Sequence, residues 1–235
     1  MTERREIGWL ALLPALLVPL FGALIYFVWM PEGTAGKTAY TLTKVFTLVY
    51  PLIFLKRIGL GGLIRREDRK VDWPSWKSVV VIGLGSGTVI SLAGVLLMMT
   101  PLGEMVRTGA DRVNERADGL GFADHYILFA VFVSLLHSAL EEYYWRWFVY
   151  GHLRRICGRW TGHLIAGVGF AAHHLVVTLV FFPVPMALFL AFCVAVGGVI
   201  WSVLYERQGT VLGCWLSHLC VDVFLMWVGY ELIIG

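Results

Sequence analysis

The chain has little charge and no long polar linker. Only 15% of its 235 residues are Asp, Glu, Lys or Arg, whereas 58% are hydrophobic, and the mean hydropathy is +0.75. Soluble domains are nearer one half apolar and one quarter charged, so this composition excludes an ordinary soluble protein. No Pro/Ser-rich or polar stretch is long enough to separate two folding units. We therefore expect a single membrane domain over residues 1–235.

Cysteine-based sites are also missing from the sequence. The four cysteines, Cys157, Cys193, Cys214 and Cys220, show no CxxC spacing, and three of them lie in apolar stretches. Neither a disulfide framework nor a thiolate zinc cluster is indicated. The HExxH pattern of many zinc peptidases is absent as well. The first apolar stretch is long enough to span a bilayer and lacks a clear cleavage site, so we expect no removable signal peptide.

What the chain does contain is a series of apolar stretches of about 20 residues, the length that crosses a bilayer. Seven spans are predicted, at about residues 7–30, 37–55, 78–99, 125–150 and 161–182, then one that ends near 205, and one at 210–230. The predicted fold class is therefore an all-α, polytopic transmembrane helix bundle. Its N-terminal spans cover about 7–99. Glycine and serine in the third span would let a neighbouring helix approach closely.

The basic residues indicate how the bundle is oriented. Seven of them lie in one segment between spans: Lys56, Arg57, Arg65, Arg66, Arg69, Lys70 and Lys77. Between two spans, such a run marks the cytoplasmic side and contacts anionic lipid headgroups rather than nucleic acid. With a cytoplasmic N-terminus, thirteen Lys or Arg residues fall inside and four outside. This predicts a multi-pass protein of the cell membrane with a cytoplasmic N-terminus and no nucleic-acid partner.

Two adjacent carboxylates and an arginine interrupt the fourth span. Ionised groups at bilayer depth cost about 2.5–3.5 kcal/mol on insertion scales, so they usually face a bundle interior and have a function. Glu142 and Arg146 are four residues apart and can form an ion pair along one helix face. Glu141 points about 100° away, on the face of His137. One carboxylate can thus be neutralised while the other stays free for chemistry. The other interpretation is a structural ion pair with Glu141 as a bystander.

Two later spans carry ionisable side chains at a similar depth. Along straight helices, Glu141, His174 and His218 lie about 20, 22 and 16 Å from the nearest cytoplasmic arginine. Asp222 is one turn beyond His218 on the same face. Unrelated core histidines would not be expected to coincide in depth, so three helices are predicted to converge on one site.

These residues carry a resemblance to a known family. The three motifs are Glu141-Glu142-x-x-x-Arg146, Phe170-x-x-x-His174 and His218-x-x-x-Asp222, in that order on separate spans. The set resembles the motifs of the CAAX protease and bacteriocin-processing family of intramembrane proteases, which includes the CAAX prenyl endopeptidases. The resemblance covers a catalytic half of about 123–228. It implies an intramembrane endopeptidase whose substrate is a membrane-associated peptide, a prenylated protein or a bacteriocin-like peptide.

The resemblance also suggests roles for the motif residues. Glu141 would accept a proton from the attacking water, while Arg146 anchors Glu142. Glu141, His174 and His218 could bind Zn²⁺ with a fourth position open for water. Alternatively, the histidines hold the water and stabilise the oxyanion without a metal, and the lack of HExxH favours this second mechanism.

Two positions of the motifs require separate expectations. His173 adjoins His174 and is the alternate metal ligand, but the Phe-x-x-x-His spacing selects His174. We expect the side chain of His173 to point about 100° away from the site. The third motif often ends in Asn in the family, whereas here it ends in Asp222, which we expect to orient His218.

Two other classes of function fit a buried cluster of Glu, His and Asp. The cluster could bind a cation or relay protons in a transporter, although the sequence shows no internal repeat and no paired broken helices. The chain could also be a catalytically silent relative that binds a toxin or partner, as an immunity protein does.

Overall fold

The computed structural model describes residues 2–31, 33–58, 74–121 and 123–233. All secondary structure in these ranges is helical, which confirms the all-α prediction. The longer helices are α1 (Thr2–Ala23), α2 (Gly33–Ile58), α3 (Trp76–Met98), α9 (Arg159–Phe181), α10 (Val184–Gln208) and α11 (Leu212–Ile233). Between α3 and α9 lie the shorter helices α4 (Pro101–Arg107), α5 (Ala110–Leu120), α6 (Tyr126–Phe132), α7 (Ser138–Glu142) and α8 (Gly151–Cys157).

Within the described ranges, six helical segments are long and apolar enough to cross a membrane. They are Gly8–Trp29, Trp76–Met98, Ala123–Cys157, Arg159–Phe181, Val184–Gln208 and Leu212–Ile233. Each corresponds to a predicted span, which confirms the polytopic helix bundle. The remaining predicted span, 37–55, lies in α2, which has 26 residues but is not among the six. The count of seven and the cytoplasmic N-terminus therefore stay predictions. Most of the basic segment, residues 59–73, lies outside the described residues.

The segment Ala123–Cys157, here called the central helix, is not a regular α-helix. π-Helical turns at Val133–His137 and Tyr143–Tyr150 flank α7. Such turns occur often at functional sites. Here they flank the five-residue helix α7, which ends with the two adjacent carboxylates.

The core of the bundle is built around the second half of the central helix. Tyr144, Trp145, Phe148 and Tyr150 are buried there, together with Phe170 of α9 and residues of α1, α2, α10 and α11. The Tyr144 hydroxyl donates a hydrogen bond to the Ala15 carbonyl oxygen of α1 (2.7 Å). Because lipid cannot satisfy polar groups, this bond lets a phenol be buried between two helices.

The small residues of α3 bring it close to α11, as predicted. A Cβ atom on Gly87 would lie 2.6 Å from the Ser217 carbonyl oxygen, and one on Gly83 would lie 2.6 Å from that of Gly213. The Ser86 hydroxyl donates a hydrogen bond to the Ser217 hydroxyl (3.0 Å). The contact therefore fixes the position of α11, the helix that carries His218.

Candidate functional site

The central helix places two adjacent carboxylates inside the bundle, where α9 and α11 pack against it. The relative exposure of Glu141 is 5% and that of Glu142 is 0%. Although they are neighbours in the chain, they point to different sets of partners. The two sets define what each carboxylate can do.

Glu142 is held by an arginine and a histidine. Arg146 Nε lies 3.1 Å from Glu142 Oε2, which is the ion pair that the spacing predicts. The two groups are within ion-pair distance without the alignment of a hydrogen bond. The guanidinium also packs over the rings of Phe170 and Trp201, at 4.5 and 5.2 Å from their centres. Such cation–π contacts stabilise a cation that has been removed from water.

His218 makes the second contact to Glu142 and connects the site to α11. Its Nδ1 atom lies 2.8 Å from Glu142 Oε1, a distance at which the imidazole N–H donates to the carboxylate. The ring stacks on Trp201, with 4.0 Å between ring centres. These two contacts leave Nε2 as the ring nitrogen that faces the rest of the site.

Asp222 contacts the other side of the same imidazole. Its Oδ1 atom lies 3.5 Å from His218 Nε2, which is longer than the bond from Nδ1 to Glu142. Glu142 and Asp222 thus contact opposite ring nitrogens of His218, and the expectation that Asp222 orients this ring stays a prediction. The other carboxylate oxygen, Oδ2, is buried without a hydrogen-bond partner among the described residues.

Glu141 contacts histidines instead of arginine. His137 Nε2 and His173 Nε2 lie 3.1 and 3.3 Å from Glu141 Oε1, and His218 Nε2 lies 3.9 Å from Oε2. Within the described part of the chain, its ion-pair contacts are all to imidazoles. An imidazole can give up or take a proton near neutral pH, whereas a guanidinium stays charged. Glu141 is therefore the carboxylate of the pair that can exchange protons.

The two adjacent histidines of α9 are both near Glu141, which differs from the expectation that His173 points away. The His173 ring stacks parallel to Trp145, with 5.6 Å between ring centres, and its Nε2 reaches Glu141. His174 Nδ1 donates to the Phe170 carbonyl oxygen (2.9 Å). The rings are only 4.1 Å apart. Helical spacing predicts the direction of each Cα–Cβ bond. It does not predict where the imidazole ring lies, because the ring can rotate about its side-chain bonds and point back towards Glu141.

One group of donor atoms could hold a metal ion. Glu141, His173 and His174 each offer one ligand atom, and these atoms lie within 4.8 Å of one another. Three protein ligands with an open position are typical of catalytic zinc, so the residues fit such an ion. The set contains His173, the alternate ligand, in place of His218.

A cleft reaches Glu141 from the side of α1 and α2. Its lining comprises Pro19, Tyr26, Thr43, Lys44, Thr47, Leu140, Glu141, Tyr144, Trp145 and His173. Lys44 of α2 lines this cleft, although the sequence motifs did not assign it to the site. The signal was present in the sequence: Tyr40, Thr43, Lys44 and Thr47 follow the i, i+3, i+4, i+7 spacing of one helix face.

A second buried polar cluster lies away from the cleft. His163 of α9 contacts Ser202 through Nδ1 (2.7 Å) and Glu206 Oε2 through Nε2 (3.2 Å), both on α10. Arg159 and Arg154 form ion pairs with Glu206 at 2.6 and 3.3 Å. The order Ser, His, Glu resembles a catalytic triad. However, Ser202 is 0% exposed and its hydroxyl donates to the Val199 carbonyl oxygen, so the cluster joins helices and offers no nucleophile.

The part of the chain from the central helix to α11 matches one known protein family. Residues 123–224 match the family model described as Rce1-like, type II CAAX prenyl endopeptidase. The match covers less than half of the chain and includes all six predicted site residues, while α1–α5 lie outside it. Neither the curated proteins nor the solved structures give a match.

Proposed function

Because residues 123–224 match the Rce1-like family model of type II CAAX prenyl endopeptidases, we propose that this integral membrane protein hydrolyses a peptide bond with Glu141 as the general base. The family supports an intramembrane CAAX-type endopeptidase in general. The finer proposal concerns the residues and the substrate. We propose a peptide substrate that reaches the site from the bilayer, either a prenylated protein or a bacteriocin-like peptide.

The observation that supports this proposal most strongly is that the two adjacent carboxylates have different contact partners. Glu142 contacts a permanent cation, Arg146 (3.1 Å), which fixes its charge. Glu141 borders the cleft and contacts only imidazoles among its described ion-pair partners. A structural ion pair would need one carboxylate, not two. The second carboxylate, placed where a substrate can enter, is suited to proton transfer.

The proposed reaction proceeds through water. Glu141 accepts a proton from a water molecule, and the resulting hydroxide attacks the scissile carbonyl carbon. The carbon–nitrogen bond then breaks, and the proton passes from Glu141 to the leaving amine. His137 and His173 hold Glu141 Oε1 in place. His218 Nε2, between Glu141 and Asp222, can donate a hydrogen bond to the oxyanion when it carries a proton.

A metal would change one part of this scheme. When bound by Glu141, His173 and His174, Zn²⁺ would supply a Lewis acid that activates water. We favour direct proton transfer to Glu141, because two imidazoles already contact its Oε1 atom and a ligated carboxylate is a poor base. In either scheme, His218, which contacts Glu142 through Nδ1, would position the substrate carbonyl from the side of α11.

The decisive experiment measures peptide hydrolysis by the purified protein in lipid vesicles, with a farnesylated CAAX-type peptide as the substrate. Glu141→Gln should lower kcat by about 10²–10⁴-fold, the usual contribution of a general base. Its melting temperature should stay near that of the wild type. Glu115→Gln, which alters an exposed carboxylate of α5, should be fully active. Equal turnover by the Glu141 and Glu115 variants would exclude general-base catalysis by Glu141, whereas no hydrolysis by the wild-type protein would favour a transporter or a binding protein.

The same assay separates direct proton transfer from metal catalysis. The protein is stripped with a chelator, its zinc content is measured by elemental analysis, and activity is recorded before and after Zn²⁺ is added back. Full activity in metal-free protein is expected from our proposal. Activity that is lost with the metal and returns with stoichiometric Zn²⁺ would favour the metalloprotease.

A further inference from the structure

Two arginines and a buried glutamate lie where three of the apolar helical segments end. The central helix ends at Cys157, α9 begins at Arg159 and α10 ends at Gln208. The ion pairs of Arg154 and Arg159 with Glu206 show that these three ends meet at one surface of the bundle. All three charged residues are within about one helical turn of a segment end. The group therefore lies at the depth of the lipid headgroups and not in the hydrocarbon core.

The glutamate holds the two arginines in place from the inside of the bundle. The Glu206 side chain is 3% exposed, whereas those of Arg154 and Arg159 are 29% and 45% exposed. Each arginine contacts a different carboxylate oxygen through its Nε atom, Arg154 at 3.3 Å from Oε1 and Arg159 at 2.6 Å from Oε2. Within the described part of the chain, neither arginine has a second ion-pair partner. A guanidinium has five N–H donors, so these contacts leave the terminal nitrogens of both arginines for a further anion.

The charge around the two arginines favours an anion that contains phosphate. Helices α8, α9 and α10 together contain the arginines Arg154, Arg155, Arg159 and Arg207, and their acidic residue is Glu206. Positive charge is therefore in excess at this end of the bundle. Planar guanidiniums bind phosphate oxygens in a bidentate manner. Basic pockets between the ends of membrane-spanning helices bind the headgroups of anionic lipids in this way.

An exposed apolar strip continues from the arginines into the membrane. The Arg159 guanidinium packs over the Trp160 ring, at 4.9 Å from its centre, and Trp160 is 70% exposed. Leu164 and Val168, which are 61% and 55% exposed, follow at intervals of four residues on the same face of α9. Tryptophan is enriched at the headgroup level of membranes. The strip fits the acyl chain of a lipid, which a free phosphate ion does not have.

We propose that Arg154 and Arg159 bind the phosphate group of an anionic phospholipid, whose acyl chain lies along Trp160, Leu164 and Val168. The buried carboxylate of Glu206 fixes the two guanidiniums, and the phosphate contacts them from the exposed side. The bound lipid thereby joins the end of the central helix to the start of α9. This proposal does not depend on the hydrolysis proposed at Glu141, because the two sites share no residue.

The test counts the lipids that stay bound to the purified protein in native mass spectrometry. Wild-type protein in detergent is mixed with equal amounts of anionic phosphatidylglycerol and zwitterionic phosphatidylcholine that have the same acyl chains. We expect a preference of at least about tenfold for phosphatidylglycerol, as charge-assisted hydrogen bonds predict. Equal occupancy by the two lipids would overturn the proposal, whatever the variants show. Inorganic phosphate should leave the lipid bound, and displacement of the lipid by it would mean that the site takes the free anion instead.

Two matched variants show whether the preference belongs to this site, since each removes one positive charge from an exposed arginine. Arg159→Gln leaves Glu206 paired with Arg154, so the protein should stay folded. Its preference for phosphatidylglycerol should fall to about twofold or less, because the second guanidinium is lost. Arg112 lies near the opposite end of α9, where it donates to the Leu179 carbonyl oxygen (3.4 Å), and Arg112→Gln should keep the wild-type preference. Full preference in Arg159→Gln, or an equal loss in both variants, would reject the site.

Discussion

At the residue scale, the contact between Glu142 and Arg146 has the largest expected effect on stability. Both side chains are almost completely buried, so Arg146→Ala would remove the permanent cation that pairs with Glu142. Breaking a buried pair from one side typically costs about 3–5 kcal/mol. We therefore expect a lower melting temperature as well as lost activity, measured by thermal unfolding in detergent.

The chain offers a matched control for this substitution. Arg107 and Glu104 form an ion pair of the same length, 3.1 Å, but their side chains are 49% and 65% exposed. Exposed pairs contribute about 0–1 kcal/mol, so Arg107→Ala should hardly change the melting temperature. If both variants lowered the melting temperature by similarly small amounts, the Glu142–Arg146 ion pair would not stabilise the folded protein.

The two adjacent histidines of α9 give a second prediction. Because His173 Nε2 contacts Glu141 Oε1 at 3.3 Å, His173→Ala should lower kcat at least as much as His174→Ala does. His125→Ala, an exposed histidine at the start of the central helix, serves as the control and should keep its activity. An active His173→Ala protein beside an inactive His174→Ala protein would support the assignment made from the Phe-x-x-x-His spacing.

Contacts within one helix could be predicted from the sequence, while contacts between helices could not. The Glu142–Arg146 and His218–Asp222 contacts follow from a spacing of four residues. The 2.8 Å contact between His218 and Glu142 joins residues that are 76 positions apart. It depends on how α11 is rotated and how deeply it sits, and hydropathy determines neither. The orientation of the His173 ring towards Glu141 could not be predicted either, because it depends on stacking with Trp145 of another helix.

At the element scale, the close contact of α3 with α11 leads to a third prediction. A Cβ atom on Gly87 would lie 2.6 Å from the Ser217 carbonyl oxygen, whereas one on Gly85 would meet nothing within 4 Å. Gly87→Ala should therefore push α11 away, displace His218 and reduce both activity and melting temperature. Gly85→Ala should be neutral or slightly stabilising, since alanine is the better helix former.

The comparison of these two glycines tests packing alone, because both lie on α3 and both receive the same methyl group. Activity assays and thermal unfolding of the two variants side by side give the answer. If Gly87→Ala were as active and as stable as Gly85→Ala, α11 would not rest on α3 at this point. The position of His218 would then have to come from Trp201 and Glu142.

The irregular shape of the central helix could not be predicted from the sequence. Its apolar length predicts a span, and the structure has one. No proline or glycine marks the π-helical turns at Val133–His137 and Tyr143–Tyr150. Contacts across the bundle, such as that of Tyr144 with Ala15, accompany these turns. The spacing of residues along one helix does not predict its contacts with other helices.

At the scale of the whole molecule, α2 decides the topology. Its 26 residues would extend about 39 Å at 1.5 Å per residue, which exceeds the roughly 30 Å of a hydrocarbon core. We predict that α2 spans the membrane, so that the two ends of this chain lie on opposite sides, with residue 1 in the cytoplasm.

Reporter fusions measure this directly. Green fluorescent protein joined before residue 1 should fluoresce, and alkaline phosphatase joined after residue 235 should be active, because these reporters work on opposite sides of a bacterial membrane. Both ends on the same side would mean that α2 does not cross. In that case Lys44 would approach Glu141 from the membrane surface.

The pairing of Glu142 with Arg146 also has a consequence for biosynthesis. A lone carboxylate that enters the bilayer from the translocon is penalised, but this carboxylate enters with its cation four residues behind it on the same helix. His218, its other partner, is synthesised 76 residues later, about 4–15 s at 5–20 residues per second. During that interval Arg146, and not His218, is the partner that can offset the charge of Glu142 within the nascent helix. The charge pair thus protects the unfinished chain before any site exists, and its loss should expose newly made protein to quality-control proteases.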